Sequence, residues 1–331
     1  MCFLINLKLG SKIIIFSKDN GETTTDKVMD WLFANKIRNV IRINGEDLIS
    51  SDFNLEINSN YFEIKNQIID SNKVKTIWFR RTYDDNIFNI LPFFKEYESD
   101  KSLELHLMGE LGSIYRFLEY FFSKSFWINK YSQRSDKLKN ICLAKKYGLK
   151  VPFTLVTNSK KDLLKKSEFK KLITKAIGEA TTYSDDKEVF SLYTSKIKFS
   201  NTDANNFFPS KAQEEIQKKF ELRIFFCDSQ FYSMAIFSQN DKQTKLDFRD
   251  YNYQKPNRFV PYKLPMYIEE KLKKMIMELE LATCSIDMIV TKDWEYYFLE
   301  INTVGQFGMV SNPCNYFLEK KLAKFINEKL S

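Results

Sequence analysis

The sequence predicts a mixed fold, with an open α/β sheet in the N-terminal third and an α+β arrangement over the remainder. Strand-sized apolar runs alternate with helical patterns before residue 125, and paired strand runs joined by short turns dominate after it. A hydrophobic content of 44% with only 9 Gly and 7 Pro in 331 residues describes an ordered chain, long enough for two or three cored units.

The elements follow in order. "KIIIFS" reads as a strand and "KDNGETTT" as a polar turn; "TDKVMDWLFANK" reads as a helix capped by Thr25 or Asp26. "NVIRIN" and "TIWFRR" continue the sheet, and "KSLELHLMGELGSIYRFLEYFF" is a long amphipathic helix. No GxGxxG or GxxxxGK[ST] phosphate loop follows the first strand. Near residue 126 the character changes. "SDKLKNICLAKKYGLKVPFTLVTN" gives a helix closed by Gly148, then Pro152 and a strand. A charged helix, "KKDLLKKSEFK", precedes the strands "KLITKAIG" and "VFSLYTSKIKF". "FELRIFFCDSQ" and "FYSMAIFS" form an antiparallel pair about an Asp-Ser turn. The helix "LPMYIEEKLKKMIMELEL", a hairpin "CSIDMIVTKDWEYYFLEIN" turning at Lys292-Asp293, and the amphipathic helix "NYFLEKKLAKFINEKL" complete the chain.

Composition excludes several chemistries. His106 is the only histidine and lies in a helical pattern away from every other candidate, so triad catalysis and multi-histidine metal sites are set aside. Five cysteines, widely spaced and without CxxC, read as reduced cytosolic thiols used in packing. The apolar stretches are too short to cross a bilayer, and Met1 to Leu9 lacks a signal peptide's basic region and cleavage site. A formal charge of +8 favours anionic partners, although 51 Lys and Arg spread along the chain also describe an ordinary solvated surface.

The apolar strand "YYFLEIN" ends in a carboxylate and an amide, Glu300 and Asn302, two apart and so on one side of a strand. Antiparallel pairing with "SIDMIV" brings Asp287 to the same end. Two carboxylates and an amide oxygen are a hard ligand set suited to Mg²⁺, while a solvated strand end explains the motif about as economically. Lys137 at a helix start, Lys175 at a strand end and Arg223 inside an apolar strand shift the balance, because a buried charge needs a partner and polyphosphate supplies one.

In that order, "SDKLKNICLAKKYGLKVPFTLVT", "LITKAIG", "AQEEIQKKFELRIF", "SIDMIV" and "FLEINTVGQFG" resemble the ATP-grasp superfamily over roughly residues 126 to 325. The resemblance implies an ATP-grasp fold, two α+β subdomains enclosing ATP, preceded by an N-terminal α/β pre-ATP-grasp domain. The corresponding divisions are 1–125, 126–210 and 211–331. It assigns Lys137 and Lys175 to ATP phosphates, Gln213, Glu214, Glu215 and Ile216 to the adenine edge, and Glu221 to the ribose. Asp287, Glu300 and Asn302 match the magnesium ligands, and Arg223 and Arg249 match arginines that neutralise the transferred phosphate. The chain departs from many relatives in lacking an evident Gly-rich flap after Lys175.

"IIIFSKDN", "WFRRTY", "GLKVPFTLVTN" and "KLDFRDYNYQKPNRFVPYKLP" resemble one branch more closely, the microviridin-type and grasp-with-spasm maturases of ribosomal peptides, also called graspetide ligases. That resemblance implies activation of core-peptide Asp or Glu and ring closure onto Thr or Ser as ω-ester, or onto Lys as ω-amide. It implies ATP, Mg²⁺ and a leader-bearing precursor as ligands, with a homodimer as the assembly seen in relatives. Phosphorylation turns a poor electrophile into a mixed anhydride, so positioning and charge neutralisation suffice and histidine is dispensable. Asp247 is a candidate general base or the residue that holds Arg249. Arg80 and Arg81 are candidates for leader binding, or for an Arg pair capping the sheet. Two other classes stay open: an ATP-grasp ligase for small molecules or protein C-termini, and a basic binding protein for nucleic acid or membrane. Against the last, the 30 Phe fall mostly at core spacing.

Overall fold

The computed structural model describes residues 11–82, 87–90, 101–133, 135–178, 182–184, 189–191, 194–200 and 204–330, with backbone alone for 89–90, 182–184 and 189–191. The N-terminal part runs β1 (Lys12–Ser17), α1 (Thr23–Ala34), β2 (Val40–Asn44) and α2 (Asp47–Ser50). A meander of β3 (Phe53–Leu55), β4 (Tyr61–Ile64) and β5 (Gln67–Asp70) follows, then β6 (Val74–Phe79), α3 (Lys101–Phe121) and β7 (Phe126–Ile128). Its main sheet is parallel, in the order β2-β1-β6-β7. Both faces of β1 are covered, which is why "IIIF" is continuously apolar. Ile13 and Ile15 pack toward α1 and the C-terminal part, whereas Ile14 and Phe16 meet Leu111, Tyr115 and Leu118 of α3.

The central part comprises α4 (Lys137–Lys146), β8 (Thr154–Ser159), α5 (Lys160–Ser167), β9 (Leu172–Thr174), β10 (Thr182–Ser184), β11 (Val189–Ser191), β12 (Ser195–Lys196) and β13 (Asn206–Glu214). Its sheet order is β12-β9-β13-β8, with β10 and β11 a separate antiparallel pair. Gly148, at φ +75°, closes α4 as the sequence indicates.

The C-terminal part holds β14 (Lys218–Cys227), β15 (Gln230–Phe237), β16 (Arg258–Tyr262), α6 (Met266–Glu278), β17 (Thr283–Thr291), β18 (Tyr296–Asn302), α7 (Gly308–Cys314) and α8 (Leu318–Glu328). The antiparallel sheet is ordered β16-β15-β14-β17-β18. Asp228 and Ser229 both take positive φ between β14 and β15, the twist that a two-residue hairpin demands. Phe220, Leu222, Ile224 and Phe226 of β14 pack into one core with α6, whereas Phe225 and Cys227 face the core shared with β1, α1 and α8.

Several sequence expectations are corrected. Glu22, not Thr25 or Asp26, is the α1 cap residue; Thr25 is buried and accepts a hydrogen bond from Ser17 Oγ. "VFSLYTSKIKF" is not one strand: β11 pairs with β10, and β12 pairs with β9. β7 belongs to the N-terminal sheet, and β13 belongs to the central sheet as far as Glu214. The breaks drawn after 125 and 210 therefore fall a few residues early. A hairpin does follow Lys175, without a Gly-rich sequence. His106 is exposed on α3. Cys142 is exposed, while Cys227, Cys284 and Cys314 are buried and unpaired; Cys2 and the segment read against a signal peptide lie outside the described residues. Among the described residues no helix is long and apolar enough to cross a membrane.

Candidate active site

Three neighbouring strands carry a row of charges. Arg223 on β14 stands opposite Asp287 on β17, and Asp287 stands opposite Glu300 on β18. Arg223 Nη1 donates to Asp287 Oδ2 at 2.6 Å. The other Asp287 oxygen, Oδ1, is buried without a hydrogen-bond partner, as is Arg223 Nε. Burial raises the Asp287 carboxyl above its usual range, and Glu300 adds to this against the pull of Arg223. Burial acts on Glu300 in the same sense, but Lys137, Lys175 and the arginines outweigh it and lower that group.

A bulge aims Glu300. Tyr296, Phe298 and Ile301 of β18 all reach the core packed on α6, and their spacing changes from two to three because the register with β17 shifts between Asp287 and Met288. Strict alternation would have put Glu300 on the same face as Tyr296 and Phe298. With the bulge, Leu299 and Glu300 both line the cleft. Asn302 follows on β18, level with Ser285, and its Oδ1 accepts from Val304 N at 3.0 Å. Gly305, at φ +64°, completes the turn; a Cβ there would lie 3.3 Å from Phe225 and 3.5 Å from the Cys284 backbone.

Lys137 and Lys175 face this row across the cleft. Asp136 caps α4 through Leu138 N and Lys139 N, which fixes Lys137 as the first helical residue. Its Nζ lies 3.4 Å from Glu300. Lys175 follows β9 directly and lines the same cleft, where burial lowers its ammonium and Glu300 partly restores it. At the other end the cleft is walled by Ile173, Ile216, Leu246, Ile289 and Leu299 and bordered by the segment from Gln213 to Ile216. The side chains of that segment are engaged elsewhere. Gln213 donates to Thr154, Glu214 pairs with Lys170, and Glu215 pairs with Lys196, so the segment offers the cleft its backbone. Glu221 Oε1 accepts from Lys218 at 2.6 Å and from Ser238 at 3.0 Å, which leaves Oε2 toward the cleft.

Arg249 and Asp247 form a bidentate pair, Nε–Oδ1 2.9 Å and Nη2–Oδ2 2.6 Å. Burial raises the Asp247 carboxyl, but Arg249 and backbone donors outweigh it and hold the group far below the carboxylate range. Such a group accepts a proton poorly, so the geometry runs against Asp247 as a general base and makes it the residue that positions Arg249. Its stabilising contribution is present above the unfolded carboxylate pKa and lost as pH falls toward the folded value. Asp247→Asn should therefore lower the Tm at pH 7, and the difference from wild type should shrink below about pH 4 in a Tm–pH series.

Arg80 is engaged by groups of the protein itself. It is 2% exposed, with Nε 3.1 Å from Glu22, Nη2 3.3 Å from Thr24 and Nη1 donating to Val304 O at 2.7 Å. It ties the N-terminal sheet to the turn that follows Asn302. Arg81 shares Glu22 and lines a second cavity with Lys130, Tyr131, Gln133 and Asn302. That cavity and the first share Lys137, Arg249 and Glu300. Asn129 supports the same turn, donating to Thr303 O and Thr283 O and accepting from Ala282 N and Thr283 N. Neither Asn129 nor Glu22 stands out in the sequence, because the backbone groups that Asn129 holds and the arginines that Glu22 holds are more than fifty residues away.

Two α+β sheets facing each other across a cleft of this construction define the ATP-grasp fold, here with an N-terminal α/β domain. Over nearly its whole length the chain is similar to solved peptide-modifying ligases of that fold. A Chryseobacterium gregarium RiPP-associated ATP-grasp ligase, solved with ADP and a leader and core peptide, is 25% identical, with a TM-score of 0.80 and coverage of 97% of this chain and 96% of that one. The macrocyclase MdnC of Microcystis aeruginosa MRC, bound with precursor peptide MdnA, is 23% identical at a TM-score of 0.75, covering 96% and 99%. The ATP-grasp ligase PsnB, complexed with minimal precursor, Mg and ADP, is 15% identical at 0.74, covering 96% and 97%. No family profile and no curated protein sequence matches this chain.

Proposed function

We propose that this protein is an ATP-dependent ligase that activates Asp or Glu side chains of a ribosomal precursor peptide and closes ω-ester or ω-amide rings. The observation that carries this reading is the Arg223–Asp287–Glu300 row facing Lys137 and Lys175, with the buried Asp287 Oδ1 lacking a protein partner. The near full-length likeness to ligases solved with leader and core peptides supports the peptide substrate.

The residues fit Mg²⁺. Asp287 and Glu300 stand opposite each other on β17 and β18 with Asn302 two residues on, and would hold the ion as two carboxylates and an amide. Bound there, it would neutralise charge on the phosphates. Lys137 and Lys175 take the phosphates, the backbone of Gln213 to Ile216 takes the adenine between apolar walls, and Glu221 Oε2 accepts from the ribose. The second cavity admits the core peptide, with Arg81 at its wall, and brings the acidic side chain to the shared group Lys137, Arg249 and Glu300. There a substrate carboxylate oxygen bonds to the γ-phosphorus as the bridging bond to ADP breaks. Arg223 and Arg249 balance the charge, and the acceptor hydroxyl or amine then displaces phosphate from the carbonyl. The buried, unpaired thiols fit a reducing cytoplasm.

The test is to incubate the protein with Mg-ATP and a precursor peptide that carries a leader and an acidic, Thr-containing core, and to weigh the peptide. Each ring should remove one water, with one ADP formed per ring. ADP formation with small amino acids or a protein C-terminus as acceptor, and none with precursor, would replace the peptide by the other substrate class.

A further inference from the structure

The cations around the nucleotide cleft are almost all paired. Lys137 pairs with Glu300, Arg223 with Asp287, Arg249 with Asp247 and Lys218 with Glu221. At the cleft, the enclosed lysines that form no ion pair with a carboxylate among the described residues are Lys175 and Lys211; Lys245, also without one, is exposed. Lys211 is 2% exposed. It lies on β13 next to Ala212, which packs with Leu163 and Leu172, so its side chain leaves the sheet on the face opposite that core. Its carbonyl accepts from Thr174 Oγ1 at 3.0 Å, one residue before Lys175. The charged groups facing it are Lys175 after β9, Lys137 on α4 and Glu300 on β18. A buried ammonium beside two others is unfavourable unless an anion joins them.

We propose that Lys211 is a third lysine of the nucleotide site, whose ammonium takes a phosphate oxygen alongside Lys137 and Lys175. The inference rests on the nucleotide-binding reading of the cleft. Two surplus cations match a ligand with at least two negative charges, which a nucleoside di- or triphosphate carries and a nucleoside does not. The pattern is invisible in sequence, where Lys211 sits in "PSKAQEE" like any surface lysine.

ADP and adenosine binding to the full chain should be measured by calorimetry from pH 6.5 to 9.5, for wild type, Lys211→Met and Lys211→Arg. Lys211→Met should weaken ADP about 10- to 100-fold, the loss expected of one charge-assisted hydrogen bond, and leave adenosine unchanged. Without nucleotide its Tm should rise, because Met fills the space without a buried charge. Burial, with Lys175 and Lys137, pushes the Lys211 ammonium down to about 8. Phosphate contact favours the protonated form, so wild-type ADP affinity should fall as pH rises through that value. Lys175, itself lowered, adds to the fall, so the decisive comparison is with Lys211→Arg, which should retain most affinity and show a flatter profile. Unchanged ADP affinity in Lys211→Met, equal weakening of ADP and adenosine, or an unaltered pH profile in Lys211→Arg would each overturn the proposal. Wild type that binds no ADP at all would instead overturn the reading of the cleft.

Discussion

Glu300→Ala should lower precursor modification by about 100- to 1,000-fold while leaving the folded protein intact. The side chain sits where Lys137, Lys175 and Arg249 converge and where the two cavities meet, so it bears on both substrates. Its loss should lower the Tm only modestly: Lys137 and Lys175 lose a facing carboxylate, but two features limit the cost. It is about one-fifth exposed, and its charge repels Asp287 across the strand pair. Asn302→Ala should act in the same direction. It removes a candidate ligand oxygen and the acceptor that holds Val304 N. Rates measured by mass spectrometry, with Tm recorded on the same samples, check both variants. Near-normal turnover in both would remove them as metal ligands.

The second large effect is on stability. Arg80→Met should destabilise the protein by about 3 kcal/mol, because it leaves the nearly buried Glu22 with Arg81 as its one cation and deprives Val304 O of its donor. Arg81→Ala, at a partly exposed position, should cost less than about 1 kcal/mol. Denaturant unfolding of the two variants measures the difference. Equal small losses would mean that the buried pair does not tie the N-terminal sheet to the active-site turn. A loosened turn also predicts that Arg80→Met slows turnover more than Arg81→Ala, although Arg80 is nearly buried and only borders the second cavity.

The hairpin of β17 and β18 was legible because its two runs are strongly apolar and its turn is short, so Asp287 and Glu300 had to come close. Lys137 was legible from the cap and helix start before it. The pair of roles weighed for Asp247 could not be resolved by spacing. Resolution needed the bidentate contact, which depends on how residues 247 to 249 turn. Arg80 and Arg81 are adjacent and chemically alike, and burial alone gives them different tasks.

What the sequence determined by itself is local: most strand and helix identities, the hard oxygens at one end of the last hairpin, the single histidine and the order of charged residues along the chain. Periodicity and residue chemistry are properties of short segments and survive without a fold. Only the tertiary structure decided which charges are already neutralised. The β18 bulge turns Glu300 out of the core, Glu22 absorbs Arg80, and Lys211 is enclosed with no carboxylate of its own. Charge balance in a low-dielectric cleft depends on distances of a few ångströms between residues far apart in the chain, and linear spacing does not encode it.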